Sequence, residues 1–347
     1  MIKEERELGT WTKYLSLWVA LCIVAGMGLG RVFPQISNVL GKFEVAHISI
    51  PIAICLFAMI YPIMVQIDFR KVIKAGKTPK PIATTLFMNW AVKPFTMAFF
   101  AWLFLMVAFA PFLSSDLSSQ YRAGLILLGV APCTAMVLVW SYLAGGNMGH
   151  TLVMTAINSL SMVVLYAPLA VILLGISGIV VPWDTIALAV TIYIVIPLIA
   201  GYFTRSQTIK RKGVEWLNTA LAPQLGKASI IALLITLVIL FSLQGYIILE
   251  QPAVIGMIAT GILANIIVVF ALTYLISKII HLPYEDAAPT AIIAGSNHFE
   301  VSIAVAITLF GLASGAALAT VVGVLTEVPI MLFLVWLCKN TRSFLSN

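Results

Sequence analysis

Residues 121–144 read YRAGLILLGVAPCTAMVLVWSYLA, an apolar run interrupted at its middle by Ala131-Pro132-Cys133. About 20 apolar residues cross the hydrocarbon layer as a helix, so the run predicts a membrane span with a break at mid-depth. Backbone groups freed by such a break must find partners in protein or in a water-filled cavity, because lipid offers none. Residues 284–312 repeat the pattern, with the interruption at Gly295-Ser296-Asn297. One break is the kink that Pro and Gly commonly make in membrane helices. Two at matching places are the sequence pointer to a transporter's binding site.

Working outward, further apolar runs lie at 14–33, 47–67, 82–110, 149–175, 184–204, 225–246, 252–279 and 316–338. The expected fold is therefore all-α integral membrane with ten transmembrane helices, the fourth and ninth broken. The third and ninth runs are long enough to tilt or break. The whole chain, 1–347, is expected to form one transmembrane domain. It divides into repeats of five spans at about 14–175 and 184–338, and because five is odd the second repeat enters the membrane inverted. The composition agrees: 61% of the residues are hydrophobic and 10% charged, against roughly 25% charged in a soluble domain.

The net charge of +7 suggests nucleic acid until its distribution is read. With the N-terminus inside, fifteen Lys and Arg fall on the cytoplasmic side: in the N-terminal segment, at 70–80, at 205–212, and at Lys278, Lys339 and Arg342. Only Arg31 and Lys42 fall opposite. This is the positive-inside pattern. Both termini are expected in the cytoplasm, the basic loops lie beside anionic lipid, and nucleic acid is excluded as a partner. The first run follows a mixed-charge segment without a small-residue cleavage site, so it is expected to be a retained helix rather than a signal.

Of thirteen acidic residues only Glu300 and Glu327 sit well inside apolar runs. A carboxylate at the bilayer centre costs roughly 2.5–3.5 kcal/mol on insertion scales, so such acids are functional candidates. A carboxyl that is costly to keep charged suits loading and releasing protons. Cys133 follows Pro132 in the break, where a freed helix N-terminus favours thiolate, and thiolates suit soft, thiophilic centres. Cys22, Cys55 and Cys338 are expected to be ordinary small apolar residues. Arg122 begins span four, about 16 Å from Cys133 at 1.5 Å per residue. It either snorkels or pairs with an acid and gates the outer vestibule. Lys93, before Pro94, is expected to snorkel inward. His298 and Glu300, two apart on a helix, point to different faces, which argues against a metal site. Asn158, Ser159 and Ser161 line the same cavity or bond across helices.

These residues carry a resemblance. Residues 50–69 (IPIAICLFAMIYPIMVQIDF), 89–97 (NWAVKPFTM), 129–141 (GVAPCTAMVLVWS), 296–307 (SNHFEVSIAVAI) and 325–332 (LTEVPIML) are together similar to the yeast-type arsenite efflux permeases. That family belongs to the bile-acid, arsenite and riboflavin transporter superfamily, and the resemblance covers essentially the whole chain. It implies inverted five-helix repeats, a core domain moving against a panel domain, and efflux of arsenite, sometimes antimonite, in exchange for protons. Residue by residue it implies an essential Cys133, acids at Glu300 and Glu327 in proton coupling, and an important Arg122. Thr134, Ser296 and Asn297 are expected to bond the remaining arsenite hydroxyls. The coupling ion is the proton, no other cofactor is expected, and the expected location is the plasma (inner) membrane.

Two other readings remain open at this stage. A sodium-coupled organic-anion symporter of the same superfamily would need a ring of oxygen ligands and a cationic anchor. An intramembrane cysteine enzyme would need Cys133 as nucleophile with His298 or Glu300 as base.

Overall fold

The computed structural model describes residues 15–33, 35, 43–45, 48–68, 79–134 and 136–345. Lys3, Arg6, Lys13 and Lys42, and the basic run of 70–80 up to Lys77, lie outside them. The order is α1 (Leu15–Val32), a two-residue antiparallel pair of β1 (Glu44–Val45) and β2 (Ile48–Ser49), α2 (Ile50–Gln66), α3 (Pro79–Phe87), α4 (Lys93–Trp102), α5 (Ser115–Val130), α6 (Met136–Leu143) and α7 (Met148–Ile176). Then come α8 (Trp183–Val190), α9 (Ile196–Trp216), α10 (Ala222–Glu250), α11 (Pro252–Ile279), α12 (Tyr284–Gly295), α13 (Phe299–Phe310) and α14 (Gly315–Asn340). Among the described residues, five helical runs are long and apolar enough to cross a membrane: Pro79–Ala108, Met148–Ile176, Trp183–Gly245, Pro252–Ile279 and Gly315–Asn340. The protein is a multi-pass membrane protein.

Prolines shape the long runs. π-turns at Met88–Val92, Thr191–Val195 and Leu217–Leu221 stand just before Pro94, Pro197 and Pro223. Proline has no N–H, and its ring clashes with the carbonyl four residues back. Slipping the ladder by one residue relieves both faults without a break. The third run therefore bulges, whereas the fourth and ninth break outright. Start signals are local: the side chains of Ser114, Asn147 and Ser314 accept from Leu117 N–H, His150 N–H and Ala317 N–H and cap α5, α7 and α14.

One expectation is corrected here. The basic stretch 205–212 is helical rather than a loop, since α9 runs through it. Its turn comes at Gly213, whose φ of 84° suits glycine.

The helices pack in two groups. α1, α2, α9 and α10 pack mainly on one another, while α4, α5 and α11 to α14 form a second group. Close approach within the first group depends on Gly201 of α9: a Cβ there would stand 2.6 Å from Met64 Cβ and 2.8 Å from Val65 N on α2. The second group is the one that holds both breaks.

Candidate functional site

The chain leaves α5 after Val130 and re-enters a helix at Met136, and it leaves α12 after Gly295 and re-enters at Phe299. The two extended segments cross and pair as short antiparallel strands. Pro132 bridges Asn297, and the His298 N–H donates to the Ala131 carbonyl at 2.8 Å. Each break thereby satisfies part of the other's freed backbone. Helix N-termini (α6, α13) and C-termini (α5, α12) meet at this crossing, so partial charges of both signs are concentrated there.

Glu327 of α14 closes the second break. Its Oε1 accepts from the Ser296 hydroxyl and, at 2.9 Å, from the Asn297 N–H. On the opposite side Lys93, the first residue of α4, is fully buried and donates from Nζ to the Ser296 carbonyl at 2.8 Å. This corrects the expectation that Lys93 snorkels. The ammonium satisfies an end carbonyl of α12 and lies within electrostatic range of Cys133 and Glu327. Sequence reading undervalued it because a Lys next to Pro near a span's middle looks like a surface-seeking side chain. Nothing in the spacing announces a carbonyl 203 residues away.

Cys133 is 2% exposed. Its sulfur lies beside the Ser296 hydroxyl and the backbone N–H of Val137 in the first turn of α6, and within electrostatic range of Glu300 and Glu327. The Cys133 carbonyl accepts from Asn158 Nδ2 at 3.1 Å, and Asn158 Oδ1 accepts from Asn89 Nδ2 at 3.1 Å. Asn158 and Ser161 thus bond across helices, Ser161 by accepting from Trp90 Nε1, whereas Ser159 bonds back to Thr155 in its own helix. Asn89 was not anticipated. The other cysteines pack elsewhere, Cys55 beside Thr236 and Cys338 near Tyr274 and Tyr284.

His298 and Glu300 meet, against expectation. His298 is the N-cap of α13, with φ −93° and ψ 77°, and so stands outside the helix that Glu300 enters. Its Nδ1 is 2.8 Å from Glu300 Oε2, in contact but out of line for a hydrogen bond. The rule that residues two apart diverge holds only within one helix. Arg122 is partly buried and donates to the Ser177 carbonyl, beyond the end of α7; among the described residues it forms no ion pair with an acid.

Several buried polar atoms at and around the crossing have no hydrogen-bond partner among the described residues: Thr134 Oγ1, both amide atoms of Asn297, His298 Nε2, Glu300 Oε1, Glu327 Oε2 and Ser141 Oγ. Buried polar groups are ordinarily paired, so this cluster is the candidate seat for a small polar guest. Of the expected site residues, Cys133, Ser296, Asn297, Glu300 and Glu327 gather at the crossing and Thr134 adjoins Cys133, while Arg122 lies at the middle of α5, away from the crossing. An open apolar cleft of about 690 Å³ between Phe87, Trp90, Ile157 and Leu165 contains none of these groups.

The chain matches the Sodium Bile acid symporter family over residues 53–251. It is 43% identical to an arsenical-resistance protein, Acr3, of Alkaliphilus metalliredigens, over 99% of this chain and 96% of that one. It is 35% identical to Acr3 of Corynebacterium glutamicum, over 93% and 87%. It is also 51% identical to an uncharacterized transporter of Synechocystis sp., over 98% and 91%. Such proteins are transporters, so this chain is a transporter and not an enzyme, and the cysteine-nucleophile reading falls. On the family match and on the relatives that it shares nearly end to end, the chain belongs to the sodium bile acid symporter family.

Proposed function

We propose that the protein is a secondary active exporter of arsenite, exchanging it for protons by alternating access. The ten spans then form one domain of two inverted five-helix repeats in the plasma (inner) membrane, with both termini cytoplasmic. The group containing the crossing moves against the group of α1, α2, α9 and α10. One observation carries the reading: the paired breaks bring a single thiol, two carboxyls and several unpaired polar atoms to one buried point.

Arsenite near neutral pH is mostly the uncharged trihydroxide. One thiol can exchange for one hydroxide: the S–H and As–O bonds break, an S–As bond forms, and water leaves. A single sulfur holds the metalloid reversibly, as transport requires, while Thr134, Ser296 and Asn297 bond the remaining hydroxyls. Antimonite, with the same valence and softness, fits the same chemistry. Arg122, which ties the middle of α5 to the Ser177 carbonyl, serves as a gating residue. A sodium-coupled symporter is the weaker reading, because the ammonium of Lys93 already sits at the crossing where a coupling cation would need oxygen ligands.

The test is growth of a host lacking arsenite pumps. Expression of the chain should raise tolerance to arsenite but not to arsenate, and Cys133→Ser should abolish the gain with protein levels unchanged. Tolerance that persists in Cys133→Ser would remove the thiol from recognition, and sodium-dependent tolerance would favour the symporter.

A further inference from the structure

Among the described residues, hydrogen bonds at Gln244 and Tyr193 join the group of α1, α2, α9 and α10 to the group that holds the crossing. Gln244 of α10 donates from Nε2 to the Leu312 carbonyl at 2.8 Å. The Tyr193 hydroxyl, in the π-turn that leads into α9, meets the Thr308 hydroxyl at 3.3 Å. Thr308 stands in the last turn of α13 and Leu312 in the turn that follows, so both bonds lie at one end of the molecule. That end is the outer one on the orientation proposed above. At the opposite end the bonds stay within each group. Arg205 of α9 donates to the Val65 and Gln66 carbonyls at the end of α2 and pairs with Asp68 at 3.3 Å. Tyr284 of α12 donates to the Ala144 carbonyl, and the Asn147 N–H to the Glu285 carbonyl, both at 2.7 Å.

Each partner is fixed to its own group. Gly245, next to Gln244, brings α10 against α1: a Cβ there would stand 2.8 Å from Met27 Cα. On the other side Gly311, at φ 90°, turns the chain out of α13. Beyond the turn, the Gly315 N–H donates to Gln120 Oε1 of α5 at 2.8 Å. The Leu312 carbonyl is thereby presented to Gln244 by elements of the second group. The contact is also incomplete. Gln244 is 2% exposed, yet its Oε1 has no hydrogen-bond partner among the described residues. A buried amide left half satisfied weakens the contact that buries it. Opening to water removes that cost, which suits a contact broken in every transport cycle.

We infer that Gln244 and Tyr193 are gating residues that latch the outer end of α13 to the first group, shutting the crossing off from the outside until both bonds open. This rests on the alternating-access reading above and adds the residues that close one side of it. Thr308 lies eight residues along α13 from Glu300, about 12 Å at 1.5 Å per residue. The latch therefore acts on access and not on cargo recognition. One such hydrogen bond shifts a two-state equilibrium by about two- to tenfold, enough to bias the closed state without locking it. Ser49 lies in the same seam. β2 and α2 both pack on α13, and Ser49 is 1% exposed, with no partner for its hydroxyl among the described residues.

The experiment places a reporter thiol in that seam by Ser49→Cys in the full-length protein, purified in detergent without arsenite. Alkylation by a maleimide is followed by mass spectrometry at position 49 and at Cys338, which is buried near the other end of α14. With the latch intact, position 49 should react slowly. Gln244→Leu and Tyr193→Phe should each raise its rate by about two- to tenfold, and together by more than either alone, with Cys338 unchanged. Fast reaction at position 49 with the latch intact would overturn the proposal, as would a rate unmoved by both substitutions. Parallel gains at position 49 and Cys338 would also overturn it, since the substitutions would then loosen the fold as a whole. No arsenite takes part, so latch and cargo fail separately. A selective gain at position 49, from a protein whose natural sequence gives no arsenite tolerance, keeps the latch and sinks the cargo.

Discussion

Lys93 illustrates how much one side chain can hold at lipid depth. Its amine donates to the Ser296 carbonyl across 203 residues of chain. Removing the donor leaves a buried carbonyl unpaired, at a cost of about 1–3 kcal/mol or more when the donor is charged. Lys93→Met keeps the length and apolar stem, so it should lower the thermal midpoint of the purified protein sharply and abolish arsenite tolerance. A midpoint within a degree or so of wild type would show that the ammonium is not structural. The Asn89–Asn158–Cys133 chain makes a milder case. Asn158→Leu strips a donor from the Cys133 carbonyl and a partner from Asn89, at about 1–3 kcal/mol. Once that is lost, Asn89→Leu should cost less than it does in the wild type, a non-additivity of about 0.5–3 kcal/mol that a double-mutant cycle in stability would read.

At the scale of elements, helix contact depends on missing side chains. A Cβ on Gly124 of α5 would collide with the Ala316 carbonyl oxygen of α14 and stand 2.8 Å from Ala319 Cβ. Since α5 leads into the first break and α14 carries Glu327, Gly124→Val should separate the two halves of the site. The expected cost is about 1–3 kcal/mol of overpacking together with loss of transport. Gly256→Ala on α11, where a Cβ meets nothing within 4 Å, should be neutral or stabilising by up to about 1 kcal/mol. Equal effects of the two substitutions on thermal stability would refute this account. Elements were also the scale most legible in the sequence. Apolar length fixed where the helices lie, and Pro132 and Ser296-Asn297 marked both breaks, because a missing donor and poor helix formers act locally. What stayed hidden was long-range or positional. The bond from Lys93 to Ser296 spans the chain, and the meeting of His298 with Glu300 depends on His298 standing one residue outside its helix. Basic residues at 205–212 looked like a loop because charge was read as an end of structure, when only Gly213 supplied the turn.

For the whole molecule the question is energetic: on the proposed exchange of one proton per arsenite, a neutral solute leaves while a single positive charge enters. Moving one charge through about 150 mV supplies roughly 3.5 kcal/mol. At about 1.4 kcal/mol per tenfold, that sustains a gradient of some few hundredfold. The exchange should therefore be electrogenic. In everted vesicles energised by respiration, arsenite should accumulate inside, and clamping the potential to zero with a potassium ionophore, at equal pH on both sides, should collapse the gradient to about unity. Imposing a pH difference at zero potential should restore accumulation by up to about tenfold per pH unit. If accumulation survives with both the potential and the pH difference abolished, protons do not drive it. If it survives loss of the potential but not of the pH difference, the exchange is electroneutral, and a compensating charge crosses with the cargo or with the returning carrier.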